Sequence, residues 1–246
     1  MGTVNKFVGS FTRALLAGAV LACGVATSVW AVPITKQLVV NVITVCDNAG
    51  LNCASHGPAG DPYFELEADK IWAQAGIDIK FVDGGTLDNT ALLTGASGVA
   101  NFTGALAGPG TTMYLVNDLT CSGCTLFGEA WLDAGGLVIN MGAVLAYSAA
   151  GRIDTIAHEL GHNLGLPHDD TNANYLIASG SVRNIPNSLG QICPDGPCYD
   201  LLSAAQISNA YDSSLLIAYA APEPGSLILT AAALFAAGLV RRRRTT

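Results

Sequence analysis

Basic residues are scarce in this chain, which carries eleven Lys and Arg against nineteen Asp and Glu in 246 residues. Six of the eleven, Lys6, Arg13 and Arg241 to Arg244, stand near the two ends. Residues 32–221 therefore hold five basic side chains against eighteen acidic ones, a balance of −13 with histidines neutral. A domain this acidic repels phosphate backbones, which argues against a nucleic-acid partner. Aromatics are few at 7%, yet half of the residues are apolar, enough for one sizeable domain or two small ones without obligatory cross-links. Long apolar runs are scarce too, confined to Ala14 to Ala26 and Leu227 to Val240, and the first falls short of the roughly 20 residues of a membrane span. There is no internal repeat, and no methionine follows Met141.

The first 31 residues place Lys6 and Arg13 ahead of an apolar run and end in small residues at Val29 and Ala31, the layout of a secretory signal cleaved after about Ala31. The C-terminal segment combines Pro222-Glu223-Pro224, the apolar stretch Leu227 to Val240 and four arginines. Positive charge beside an apolar segment holds that side in the cytoplasm. These three parts in that order resemble the PEP-CTERM sorting signal of Gram-negative bacteria. The resemblance implies a transmembrane or transiently membrane-associated C-terminal segment, processing by an exosortase-type enzyme, and delivery to the cell envelope or the exterior. The expected division is 1–31 signal peptide, 32–221 folded domain and 222–246 sorting segment.

Cys23 leaves with the signal and six cysteines remain, an even number that points to disulfides in an exported chain. They form three close pairs, Cys46 with Cys53, Cys121 with Cys124 and Cys193 with Cys198, each enclosing turn residues. Local pairing is the expectation because loop staples need no long-range assumption, although sequence alone leaves the connectivity open. Cys121-Ser-Gly-Cys124 would also suit a redox CxxC, but no thioredoxin-like context surrounds it.

QLVVNVITV at 37–45 reads as a buried strand, and YFELEADKIWAQAG at 63–76 repeats apolar residues at helical spacing until Gly76. IDIKFVDG alternates as a second strand, and residues 84–110 read as a long loop without periodicity. TTMYLVND at 111–118 is a third strand, LFGEAWL and GLVINM are two further candidates, and IDTIAHELGHNLG at 153–165 reads as a helix. The chain then turns irregular until a terminal helix in DLLSAAQISNAYD at 200–212. The fold class expected is α+β, a mixed twisted sheet with a helix behind it and a C-terminal helix after an irregular lower subdomain.

HELGHNLGLPHD, residues 158–169, gathers three of the four histidines. On a helix, residues four apart share a face, so His158 and His162 can aim at one ion. Gly165 can take positive φ, turn the chain and return His168 as a third ligand. Three neutral imidazoles leave one tetrahedral position open, which separates catalytic zinc sites from closed structural ones. Glu159 lies beside the histidine face, where it can assist attack by zinc-bound water and pass the proton to a leaving amine. The residues thus point to one catalytic Zn2+, with His158, His162 and His168 as ligands and Glu159 as the catalytic base. His56 sits alone in a Gly/Pro loop and reads as solvated. Asp169, Asp170 and Asn172 carry oxygens of the kind Ca2+ takes, without further support for a site.

HELGHNLGLPH is similar to the HExxHxxGxxH consensus of the metzincin metallopeptidases, with Asp169 similar to the adamalysin and matrixin branches. The resemblance implies a zincin-like fold over roughly 37–215 and an endopeptidase acting on protein or peptide substrates. It also implies an edge strand, within Leu126 to Leu132, that pairs with substrate through Gly128 and Ala130. Metzincins carry a methionine turn beneath the metal; here NYLIASGSVRN occupies that place, with Ile177 as the substitute and Leu176 the lesser alternative. A branched aliphatic can approximate such an apolar floor at modest cost. Two other readings remain at this point: a non-catalytic surface or matrix protein that keeps zinc for structure, and a zinc amidase acting on cell-wall amides.

Overall fold

A computed structural model describes residues 32–220. The expected signal peptide and sorting segment lie outside the described residues. The frame of the fold is β1 (Lys36–Cys46), whose Leu38, Val40 and Val42 are buried while Val39, Asn41 and Ile43 are half-covered. That period of two, carried by β-branched residues, suits a strand between neighbours. β2 (Ile77–Asp88) runs parallel to it on one side, with a register shift between Val42 and Thr44. β3 (Thr111–Val116) runs parallel on the other side, beyond it comes β5 (Leu137–Asn140), also parallel, and β4 (Gly128–Ala130) closes the far edge antiparallel to β5. The order is β2-β1-β3-β5-β4, and β6 (Ile217–Ala218) pairs antiparallel with Lys36 and Gln37. The expected α+β class with a mixed sheet is therefore borne out.

Two helices pack against each other and against this sheet: α1 (Glu65–Trp72), which touches β2, and α4 (Thr155–Asn163), which touches β4 and β5. Trp72 and Ile71 of α1 and Ile156 of α4 are among the largest fully buried side chains. α4 is buried along nearly its whole length, including its polar residues. Such a helix is fixed by tertiary contacts rather than by propensity. The segment after it is irregular down to α5 (Ala204–Tyr211), which Ser203 and Gln206 open with a capping box.

Several expectations needed correction. Residues 84–110 are not a featureless loop: β2 continues to Asp88, α2 (Thr90–Gly95) follows, and Val99–Asn101 form a 3-10 turn. The cause is local capping, since Asn89 accepts from the Leu92 amide and Asn48 and Thr90 exchange two hydrogen bonds. Tyr63 and Phe64 precede α1 in left-handed conformation instead of joining it. Only three residues of LFGEAWL pair as a strand, and GLVINM ends in a short helix, α3 (Met141–Ala146), capped by Asn140. Among the described residues no helix is long and apolar enough to cross a membrane; the C-terminal segment expected to have transmembrane character lies outside them. The three local disulfides form as expected.

Asn163 joins α4 to the sheet. Fully buried, it accepts from Thr111 Oγ1 at 2.8 Å and donates to the Trp131 and Gly136 carbonyls at 2.9 and 3.0 Å. Leaving buried partners unsatisfied costs about 1–3 kcal/mol each, less what relaxation recovers. Asn163→Ala should therefore lower unfolding free energy by about 3 kcal/mol; a urea midpoint matching that of the unaltered protein would refute this role.

Candidate functional site

The turn that ends α4 determines where the third histidine goes. Gly165 sits at φ +87, its amide donates to the His162 carbonyl at 3.0 Å, and the Leu166 amide donates to the Gly161 carbonyl at 3.0 Å. This is a Schellman closure, which needs a left-handed residue where the glycine stands. Reversed there, the chain brings His168 back to the helix face that carries His158 and His162. Ring centroids are 4.8 Å apart for His158/His162 and His162/His168, and 5.4 Å for His158/His168. One ligand atom from each ring lies within 4.8 Å of the others.

Backbone carbonyls orient two of these rings. His158 Nδ1 bonds the Leu176 carbonyl at 2.6 Å, and His162 Nδ1 bonds the Leu166 carbonyl at 2.8 Å. A carbonyl only accepts, so each Nδ1 carries the proton and each Nε2 keeps its lone pair for the space between the rings. Burial, followed by repulsion from Arg183, holds His158 well below its usual range, and burial likewise lowers His162. Both are neutral imidazoles. Three imidazole nitrogen donors converging in this way suit zinc.

Glu159 lies beside the histidines and is buried; desolvation pushes its carboxyl up to about 8, against the pull of Arg183 and Arg152. It is packed against the edge strand so tightly that a Cβ at Gly128 would sit 2.8 Å from Glu159 Cγ. Glycine at 128 is therefore required by close approach. Gly128 and Ala130 both line a cleft of about 690 Å³ together with the three histidines and Glu159. Ile177 is fully buried, and its Cδ1 lies against Gly161 of α4, between the two helical histidines. It is Leu176 that offers its carbonyl to His158, so the two neighbours divide the work.

Other residues are not where chemistry would need them. His56 is exposed and bonded to Thr44 Oγ1 at 2.8 Å. Asp169 accepts from Thr171 and from Gln206, Asp170 accepts from Ser179, and Asn172 accepts from the Asn174 amide. These oxygens are occupied by internal hydrogen bonds.

Sequence reasoning missed a charged cluster at the N-terminal end of α4. Arg183 Nη2 pairs with Asp154 at 3.2 Å, both almost fully buried, and Arg183 Nη1 donates to the Leu176 carbonyl at 2.5 Å and presses on His158 Nδ1. Asp200 is also fully buried; desolvation, followed by the charge of Asp154, raises its carboxyl well above the usual range. One cue existed: only five basic residues lie in 32–221, and two of them, Arg152 and Arg183, are buried here.

A family model described as metallo-peptidase family M12 matches residues 84–207. No curated protein matches the chain. Among solved structures, the archaemetzincin of Archaeoglobus fulgidus, complexed with malonate, is 15% identical with a TM-score of 0.36, over 70% of this chain and 99% of that one. The archaemetzincin of Methanopyrus kandleri is 14% identical with a TM-score of 0.40, over 70% and 95%. A zinc-dependent peptidase of Methanocorpusculum labreanum is 15% identical with a TM-score of 0.40, over 70% and 99%.

Removing one member of a buried ion pair strands the other and costs about 3–5 kcal/mol. Arg183→Met should lose that much stability, and adding Asp154→Leu should restore part of it. Chemical denaturation of both variants tests the pair, and an unchanged midpoint in Arg183→Met would count against it.

Proposed function

The chain belongs to metallo-peptidase family M12 and is a zinc metallopeptidase, and from that premise we propose that it is an exported endopeptidase of metzincin type. The observation that carries this reading is the set of three converging imidazoles, two with their Nδ1 protons given to backbone carbonyls, beside a buried carboxyl.

In this reading His158, His162 and His168 hold zinc. When bound, the ion supplies a Lewis acid that polarises a peptide carbonyl and makes water acidic near neutral pH. Glu159 takes the proton of the attacking water and returns it to the leaving amine. Zinc held by the three histidines would favour the ionised form of Glu159, offsetting the desolvation that raises it. Among the described residues no other strand covers the outer edge of β4, so the backbone of Gly128 to Ala130 can pair with an extended substrate beside Glu159. Ile177 serves as the apolar floor under the histidines.

Export is supported by three disulfides, which persist in oxidising compartments. The reading adds removal of residues 1–31, processing near Pro222-Glu223-Pro224 by an exosortase-type enzyme, and a place in the cell envelope or outside the cell.

The test compares the purified, zinc-loaded protein with Glu159→Ala on unfolded protein substrates. The variant should keep about one zinc per chain and lose about 10²–10⁴-fold in kcat/KM. Equal activity in the two, or no cleavage by either with zinc bound, would refute the proposal.

A further inference from the structure

Arg152 is the one basic side chain in the cleft whose charge is unmatched. It is 7% exposed, and its Nε has no hydrogen-bond partner. Neither of the two ion pairs among the described residues includes it: Asp154, the nearest acid in sequence, is taken by Arg183, and the other pair joins Lys70 to Asp195. The guanidinium lies 4.3 Å from the centroid of the Phe127 ring and 5.7 Å from that of Tyr147. Aromatic faces steady a cation, but they offer no acceptors to its five N–H donors. Desolvation, followed by the charge of Arg183, lowers its pKa against the opposite pull of Asp154, Tyr147 and Glu159.

A buried, unpaired cation is costly, and a fold keeps one where a ligand completes it. Arg152 lines the same cleft as Glu159 and the three histidines. Phe127 and Tyr147 form one wall of the recess. The other is Gly180, where a Cβ would stand 3.2 Å from Arg152 Nη2. The glycine keeps the guanidinium edge open. Planar, paired N–H groups in such a recess match a carboxylate in two-point contact.

Resting on the peptidase reading, we propose that Arg152 is a specificity-determining residue that receives a substrate carboxylate within two residues of the scissile bond. An Asp or Glu side chain supplies it in the interior of a chain, and a terminal carboxylate supplies it at a chain end. The first source makes the enzyme an acidic-site endopeptidase, and the second makes it release short C-terminal fragments.

A fluorogenic peptide series with Glu, Gln, Asp or Leu at each of the two positions on either side of the cleaved bond tests this. Each peptide is made as the free acid and as the C-terminal amide. The unaltered protein should favour Glu over Gln by about tenfold or more at one position, or the free acid over the amide by a similar factor. Either ratio should fall towards one in Arg152→Gln and stay intermediate in Arg152→Lys. Gly180→Ala, which leaves the charge in place and crowds Nη2, should lower it as well and covers the case in which Arg152→Gln does not fold. A ratio near one in the unaltered protein, or one that survives in folded Arg152→Gln, would overturn the proposal.

Binding of the same peptides to Glu159→Ala, measured by calorimetry, separates this outcome from failure of the peptidase reading. Tighter binding of the carboxylate-bearing peptide, lost when Arg152→Gln is added, upholds the site even if nothing is cleaved. Equal binding overturns it.

Discussion

The carbonyl oxygen of Leu176 is the point on which the site depends. It accepts from His158 and from Arg183 together, and through them it ties a helix to a segment that has almost no secondary structure of its own. Arg183 in turn reaches Asp154 at the start of α4, whose charge, after burial, raises the carboxyl of Asp200 just ahead of α5. One backbone acceptor thus links histidine tautomer, helix position and the path of the irregular chain. Regular segments hold themselves by ladders of hydrogen bonds; this one is held by buried charge, which forgives little misplacement.

On its other side α4 is referred to the sheet. Asn163 connects its last turn to Thr111 and to the backbone on either side of the β4–β5 connection, while the Asp133 amide donates to the His162 carbonyl at 2.9 Å. The helix that carries two histidines and the glutamate is therefore positioned from both ends and across its length. The close contact of Glu159 with Gly128 follows from that double anchoring.

HELGHNLGLPHD was legible in sequence because its chemistry is local: helical spacing places two histidines, and a glycine turns the chain towards a third. β1, β3 and β5 were legible as well, being short runs of buried aliphatics bounded by turns. The supporting residues were not, since Leu176, Arg183 and Asp200 reach the site from 18 to 42 positions beyond His158 along a path without periodicity. Ile177 could be placed only by resemblance to a family. α2 escaped because Gly, Thr and Ala dominate its surroundings, although Asn89 and Asn48 carried the capping cue. Arg152 and Arg183 stood out only as rarities in an acidic chain, a signal that identifies residues without saying what they face.

The three disulfides join residues seven, three and five positions apart, and the cost of closing a loop grows with its length. Partners this close meet during ordinary chain motion, long before the sheet assembles, and distant thiols compete poorly with them. Oxidation can then proceed in any order, and none of the bridges constrains how α4 finds the sheet. The bonds secure loops while the architecture is decided elsewhere, so a chain that reaches an oxidising compartment unfolded has little opportunity to lock itself into a wrong topology.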